Sequence, residues 1–172
     1  MVNEQEVKAE QILKENGATL KDLEQALENG LTTLRETKGM TDDEMEAIYA
    51  LAFNFYQTGN LEKAETLFRF LVMFDHLNVK YWLGMGAVHQ VKKDYKKAIE
   101  AYALVVTALE FNNVKASYYA AECHLALGDR VNAQSAIEHV KHCADVKTET
   151  GRSFLAKAKH LEKVIAMAGK EA

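Results

Sequence analysis

Three side chains able to ligate a metal fall within five residues: His139, His142 and Cys143, at i, i+3 and i+4, which one helix would present on one side. Cys123-His124 lies some twenty residues earlier and could join them. The spacing permits zinc, but a histidine or cysteine inside an apolar periodic segment more often packs than ligates, so no metal is expected. Gly84-Met85-Gly86 resembles the start of a phosphate-cradling loop, yet it lacks a third glycine and a preceding strand pattern. Asp42-Asp43-Glu44 reads as a helix start, with Thr41 as N-cap and Glu44 as its capping-box partner, rather than as an acid and base pair. No P-loop, nucleophile elbow, HExxH or EF-hand pattern is present. A protein without catalytic residues or cofactor, and not an enzyme, is expected.

The elements that would carry these residues are helices. The 172 residues include no proline and nine glycines, with 48% hydrophobic and 27% charged side chains, enough to bury a core. A formal charge of −4 argues against nucleic acid. Neither a secretory leader nor an apolar run of roughly 20 residues is seen, so a cytoplasmic protein that does not insert in membranes is expected. Two cysteines without CxxC spacing fit reduced thiols.

Self-comparison explains the glycines. GNLEKAETLF, KDYKKAIEAY and GDRVNAQSAI align so that Ala64, Ala98 and Ala133 fall 34 and 35 residues apart, and Ala52, Gly86 and Ala121 repeat at the same intervals. Trp82, Met85, Gly86 and His89 occupy the W-x2-L-G-x2-Y spacing of the tetratricopeptide (TPR) repeat. Small residues are expected where the two antiparallel helices of each repeat cross, with Gly86 as a packing glycine. Gly59, Lys93 and Gly128 occupy the same turn, which needs a left-handed residue; lysine there implies strain. The reading is all-α: an N-terminal helical region over 1–44, three helix-turn-helix repeats in a right-handed superhelix over 45–147 (45–78, 79–112, 113–147), and a capping helix and tail over 148–172. Phe154, Ala158, Leu161 and Ile165 should face inward on that last helix.

In a TPR stack the first helix of each repeat lines the inner groove. Repeat 1 would contribute Tyr49, Phe53 and Tyr56; repeat 2 Lys80, Leu83, Ala87 and Gln90; repeat 3 Lys115, Tyr118, Glu122 and Leu125. Such a face suits an extended apolar peptide held through a few pockets. Phe55, Leu51, Phe68 and Leu71 are assigned to core. A clamp for a terminal carboxylate would need basic residues where Tyr49, Phe53 and Gly84 stand, leaving only Lys115, and is not expected.

The run from Asn29 to Gln90 resembles the class II chaperones of bacterial type III secretion systems, which guard hydrophobic translocator proteins. The resemblance is carried by Gly30-Leu31-Thr32-Thr33-Leu34, by Tyr49-x3-Phe53-x2-Tyr56, by LFRFLVMFDHLN, and by Leu83-Gly84-x-Gly86; it continues through YYAAECHLALGD. It implies a non-enzymatic cytosolic chaperone whose groove, with Tyr49, Phe53 and Tyr56 as its aromatics, takes an extended N-terminal segment of a translocator. It also implies homodimerisation through N-terminal helices. The region before Asn29 is longer than that pattern expects, and Gly17-Ala18-Thr19-Leu20 offers a second match to the glycine motif. A general TPR scaffold that shields no membrane-active client is the alternative.

Overall fold

The computed structural model describes Val7, Gln11 and residues 33–168. Apart from Val7 and Gln11, which are helical, residues 1–32 of the N-terminal region expected over 1–44, the Gly17 motif among them, lie outside the described residues. All regular elements among the described residues are helical. They are α1 (Leu34–Lys38), α2 (Asp42–Gln57), α3 (Leu61–Phe74), α4 (Val79–Val91), α5 (Tyr95–Leu104) running into a π turn (Val105–Leu109), α6 (Val114–Ala126), α7 (Arg130–Cys143) and α8 (Glu149–Ala168).

Local chemistry sets these boundaries. Thr41 caps α2 by accepting from the Glu44 backbone N–H at 3.3 Å, while the Glu44 carboxylate accepts from the Thr41 N–H at 2.8 Å. That is the expected reciprocal box. Thr33 and Glu36 form a second box at α1. Helix ends repeat one device: Gly59, Lys93 and Gly128 all have positive φ (79°, 63° and 77°). In each case the left-handed residue donates to a carbonyl three residues back and the next residue to one five back: Gly59 to Tyr56 and Asn60 to Phe55, Lys93 to Gln90 and Asp94 to His89, Gly128 to Leu125 and Asp129 to His124. These paired bonds satisfy carbonyls that the helix end would leave without donors. Lys93 therefore holds the strained conformation that the repeat alignment requires.

The π turn has a sequence cause. The interval from Lys93 to Gly128 is one residue longer than that from Gly59 to Lys93, and the small-residue register places the extra residue between Ala98 and Ala121. Val105–Leu109 lies inside that window. A π turn absorbs one residue without dislodging the helix that follows.

The chain forms two compact units, Met1–Val88 and His89–Ala172. The core of the first is built by Met45, Ile48, Leu51 and Ala52 of α2, Ala64, Leu67, Phe68, Leu71 and Phe74 of α3, and Tyr81, Met85 and Val88 of α4. Phe55, assigned to this core, is only half-buried and lies under the Lys63 ammonium, 4.8 Å from its ring centroid. Its position on α2 turns it toward the stem of the following helix, where a lysine covers it. The tight approach in this unit is made by Gly84, where a Cβ would overlap the ring of Phe68.

In the second unit α6 packs against α5 and α7, and α8 closes over α7 and α6. Its core joins Val114, Tyr118 and Ala121 to Ile137, Val140, Phe154 and Ala158. Leu161 and Ile165 pack partly against it. Ala52, Ala64, Ala98, Ala121 and Ala133 are all completely buried, so the small-residue register does mark close helix contacts. Each large side chain buried in these cores contributes roughly 1.5–3 kcal/mol.

Candidate functional site

In the first unit, Tyr49, Phe53 and Tyr56 follow one another at i, i+4 and i+7 along α2, so a single helical face carries all three. Tyr49 and Phe53 stack at 6.3 Å between centroids, and the Phe53 and Tyr56 rings lie tilted at 6.2 Å. The base of the ladder is anchored: Tyr49 meets Phe68 edge-on at 6.0 Å and Tyr81 at 5.9 Å. Phe53 is 42% exposed. A large apolar ring left in water between two half-buried tyrosines is a surface that packing within this unit leaves to solvent, as it also leaves Met73 and Leu77.

Lys80, exposed on α4, places its ammonium 5.7 Å from the Tyr49 ring centroid and 3.7 Å from the Glu46 carboxylate. Leu83 and Ala87 are half-buried on the same helix. Burial raises the Tyr49 hydroxyl pKa, with Lys80 opposing and Glu46 reinforcing. Tyr81 is pushed up to about 12, chiefly by burial and next by the Asp75 carboxylate. Both phenols are therefore protonated donors at neutral pH.

The second unit places its expected inner residues differently. Tyr118 is buried, 9% exposed, with its ring edge-on to Tyr119 and to Phe154 at 5.6 and 5.5 Å. It was expected to line the groove; α8 instead packs its ring into the core. Burial, and next the Glu122 carboxylate one turn along the helix, raise its hydroxyl pKa. Gln90 and Glu122 are joined, Nε2 donating to Oε2 at 3.0 Å, and the Tyr102 hydroxyl donates to Gln90 Oε1 at 2.9 Å. Lys115 is exposed and Leu125 half-buried.

The histidine and cysteine cluster is a packing arrangement. His139 Nδ1 is 2.8 Å from the Ser117 hydroxyl, its Nε2 lies 3.6 Å from Cys143 Sγ, and its ring meets Phe111 edge-on at 4.7 Å. Burial, and secondarily the His142 charge, lower the His139 pKa. Burial raises the Cys143 thiol and pushes Cys123 up to about 12. Burial thus favours the protonated form of both thiols. Cys143 is half-buried at the end of α7. Among the described residues no three His, Cys, Asp or Glu side chains converge on one point.

The repeat register also sets the inner-face positions of the three repeats against one another. Phe53, Ala87 and Glu122 are 34 and 35 residues apart and share one position on the first helix of successive repeats. A carboxylate thus occupies in repeat 3 the place of the exposed ring of repeat 1.

Comparison with known proteins agrees with this architecture. The tetratricopeptide repeat family matches residues 45–78 and 79–113. Chaperone protein SicA of Salmonella typhimurium is 37% identical over 108 residues, 63% of this chain; the chain spans 65% of that relative's length. Low calcium response locus protein H of Yersinia pestis is 32% identical over 117 residues, covering 68% of this chain and 69% of the relative. Among solved structures, PcrH, known from Pseudomonas aeruginosa, in complex with the chaperone binding region of PopB superposes with a TM-score of 0.67 at 33% identity, covering 72% of this chain and 98% of PcrH. The fold and its repeats define a tandem TPR protein of helical hairpins. Within that class, the chain belongs to the translocator chaperones of bacterial type III secretion systems.

Proposed function

We propose that this protein is a non-enzymatic, cytosolic chaperone that binds an extended segment of a hydrophobic translocator and keeps that client soluble and competent for secretion. The observation that carries the reading is the ladder of Tyr49, Phe53 and Tyr56, whose central ring is exposed although its neighbours are fixed by packing. The PcrH structure that this chain resembles holds the chaperone binding region of PopB, which supports a peptide as occupant. Two or three apolar anchors worth roughly 1.5–3 kcal/mol each suffice for a micromolar complex once association costs are subtracted. Lys80 of α4 reaches the base of the ladder in the same unit, and Leu83 and Ala87 are half-buried on that helix. In this reading the pocketed client segment cannot self-associate, and its membrane-active helices are withheld until export. Homodimerisation through the N-terminal region belongs to the same proposal.

Co-expression with hydrophobic translocator candidates encoded beside the gene, followed by size exclusion with mass determination, tests it. A soluble complex whose client is insoluble or degraded when made alone supports the chaperone and gives its stoichiometry. If every candidate stays soluble alone and none co-elutes, the reading fails and a general TPR scaffold replaces it.

A further inference from the structure

We propose that Glu122 is the specificity carboxylate of the second unit, reading a lysine or arginine side chain of the bound segment; the inference rests on the chaperone function proposed above. Repeat register places Glu122 where repeat 1 has Phe53, a position turned to solvent on the first helix. The carboxylate is half-buried and held in one orientation. The fully buried Tyr102 donates to Gln90 Oε1, which orients the amide so that its Nε2 donates to Glu122 Oε2. The Tyr118 ring, fixed among those of Tyr119 and Phe154, lies one helical turn before the same carboxylate.

The Gln90 donor is neutral. No ion pair among the described residues includes Glu122, and the Lys157 ammonium nearby is engaged over the rings of Phe154 and Tyr118, at 4.6 and 5.8 Å. A carboxylate offers about four acceptor sites, of which the Gln90 contact uses one. What remains is a fixed, partly dehydrated negative charge whose complement within the unit is hydrogen bonding alone. Such a charge favours a cation from the partner, and does so more strongly than a fully hydrated surface carboxylate would. Because its geometry is set before binding, the contact discriminates by charge and position rather than by apolar area.

Glu122→Gln removes the charge and keeps an acceptor toward Gln90. The probe is the client segment protected from proteolysis in the co-purified complex, made as a peptide with each lysine and arginine changed in turn to glutamine. Full-length wild-type protein should bind the parent peptide about tenfold or more tightly than E122Q, with that advantage shrinking as salt is raised. One neutralised peptide should bind both proteins equally, and Glu122→Lys should recover affinity for a peptide carrying glutamate at that residue. Unfolding curves of E122Q matching wild type establish that folding is not the cause. Equal binding of the parent peptide by wild type and E122Q overturns the inference while leaving the chaperone intact. So does a loss that persists undiminished with every neutralised peptide, which would assign Glu122 to backbone hydrogen bonding. A wild-type protein that binds no translocator segment overturns the chaperone reading and this inference with it.

Discussion

The ring of Phe68 occupies the space that a side chain at Gly84 would need, so helix α4 reaches α3 only because residue 84 has no Cβ. Phe68 is itself fully buried and carries Tyr49 edge-on at 6.0 Å. The contact therefore links the packing of the first unit to the base of its aromatic ladder.

Gly84→Ala should destabilise the protein by about 1–3 kcal/mol, because overpacking against a ring held on all sides outweighs the ~1 kcal/mol that alanine gains in helix propensity. Denaturant unfolding measures this. Adding Phe68→Leu should recover part of the loss by opening the space; a G84A protein as stable as wild type would mean that the ring moves aside freely.

Lys93→Gly should stabilise the fold by about 1 kcal/mol. Lys93 has φ 63°, a conformation that costs a side-chain-bearing residue roughly 1–2 kcal/mol and glycine almost nothing beyond its unfolded-state entropy. For a chain of this size that corresponds to a rise in Tm of about 2–4 °C. Calorimetry of K93G decides it, and an unchanged or lower Tm would assign Lys93 a compensating contact.

Phe53→Ala should separate binding from folding. Its ring is 42% exposed, so its loss should change stability by less than about 1 kcal/mol, yet lower affinity for a translocator segment by roughly tenfold or more. Tyr49→Ala, by contrast, removes contacts with Phe68 and Tyr81 and should cost about 2–3 kcal/mol of stability as well. Calorimetric titration beside thermal melts checks both, and unaltered affinity in F53A would remove the ladder from the binding face.

His139 gives stability a pH dependence of definite sign. Its pKa in the fold lies below the ordinary 6.5 because burial disfavours the imidazolium. The unfolded chain therefore binds the proton more readily, and stability is fully present above about 6.5 and lost as pH falls from there toward the folded pKa. Asp94, Asp129 and Glu162 have lowered pKa values and titrate at more acid pH, so the interval from pH 7 to 5.5 leaves them out, and comparison with a His139 variant separates its share from that of the five other histidines. In His139→Gln the slope of unfolding free energy against pH should flatten over that interval; an unaltered slope would place the proton uptake elsewhere.

Much of the fold was legible because it is local or periodic. The Thr41 and Glu44 box, the left-handed Lys93 and the complete burial of Ala64, Ala98 and Ala133 follow from spacings of three to 35 residues. The capping helix was equally readable, with Phe154 and Ala158 buried and Leu161 and Ile165 packed beside them. Even the π turn is implied by one surplus residue between Ala98 and Ala121.

Tyr118 and Glu122 show where that legibility ends. Both lie on the helix face that repeat position assigns to the inner surface, and sequence treats them alike. Burial of one ring depended on Phe154, 36 residues downstream, and orientation of the other's carboxylate on Gln90, 32 residues upstream. Gly84 is a similar case, its role set by the rotamer of Phe68 rather than by any glycine motif. Sequence by itself determined the helices, their caps, their repeat and the small residues at which they cross, because propensity and hydrophobic period act within one or two turns. Tertiary structure alone decided which residues of that common face became core, which became a fixed charge and which stayed exposed, since burial and hydrogen-bond partnership belong to pairs of side chains that only packing brings together.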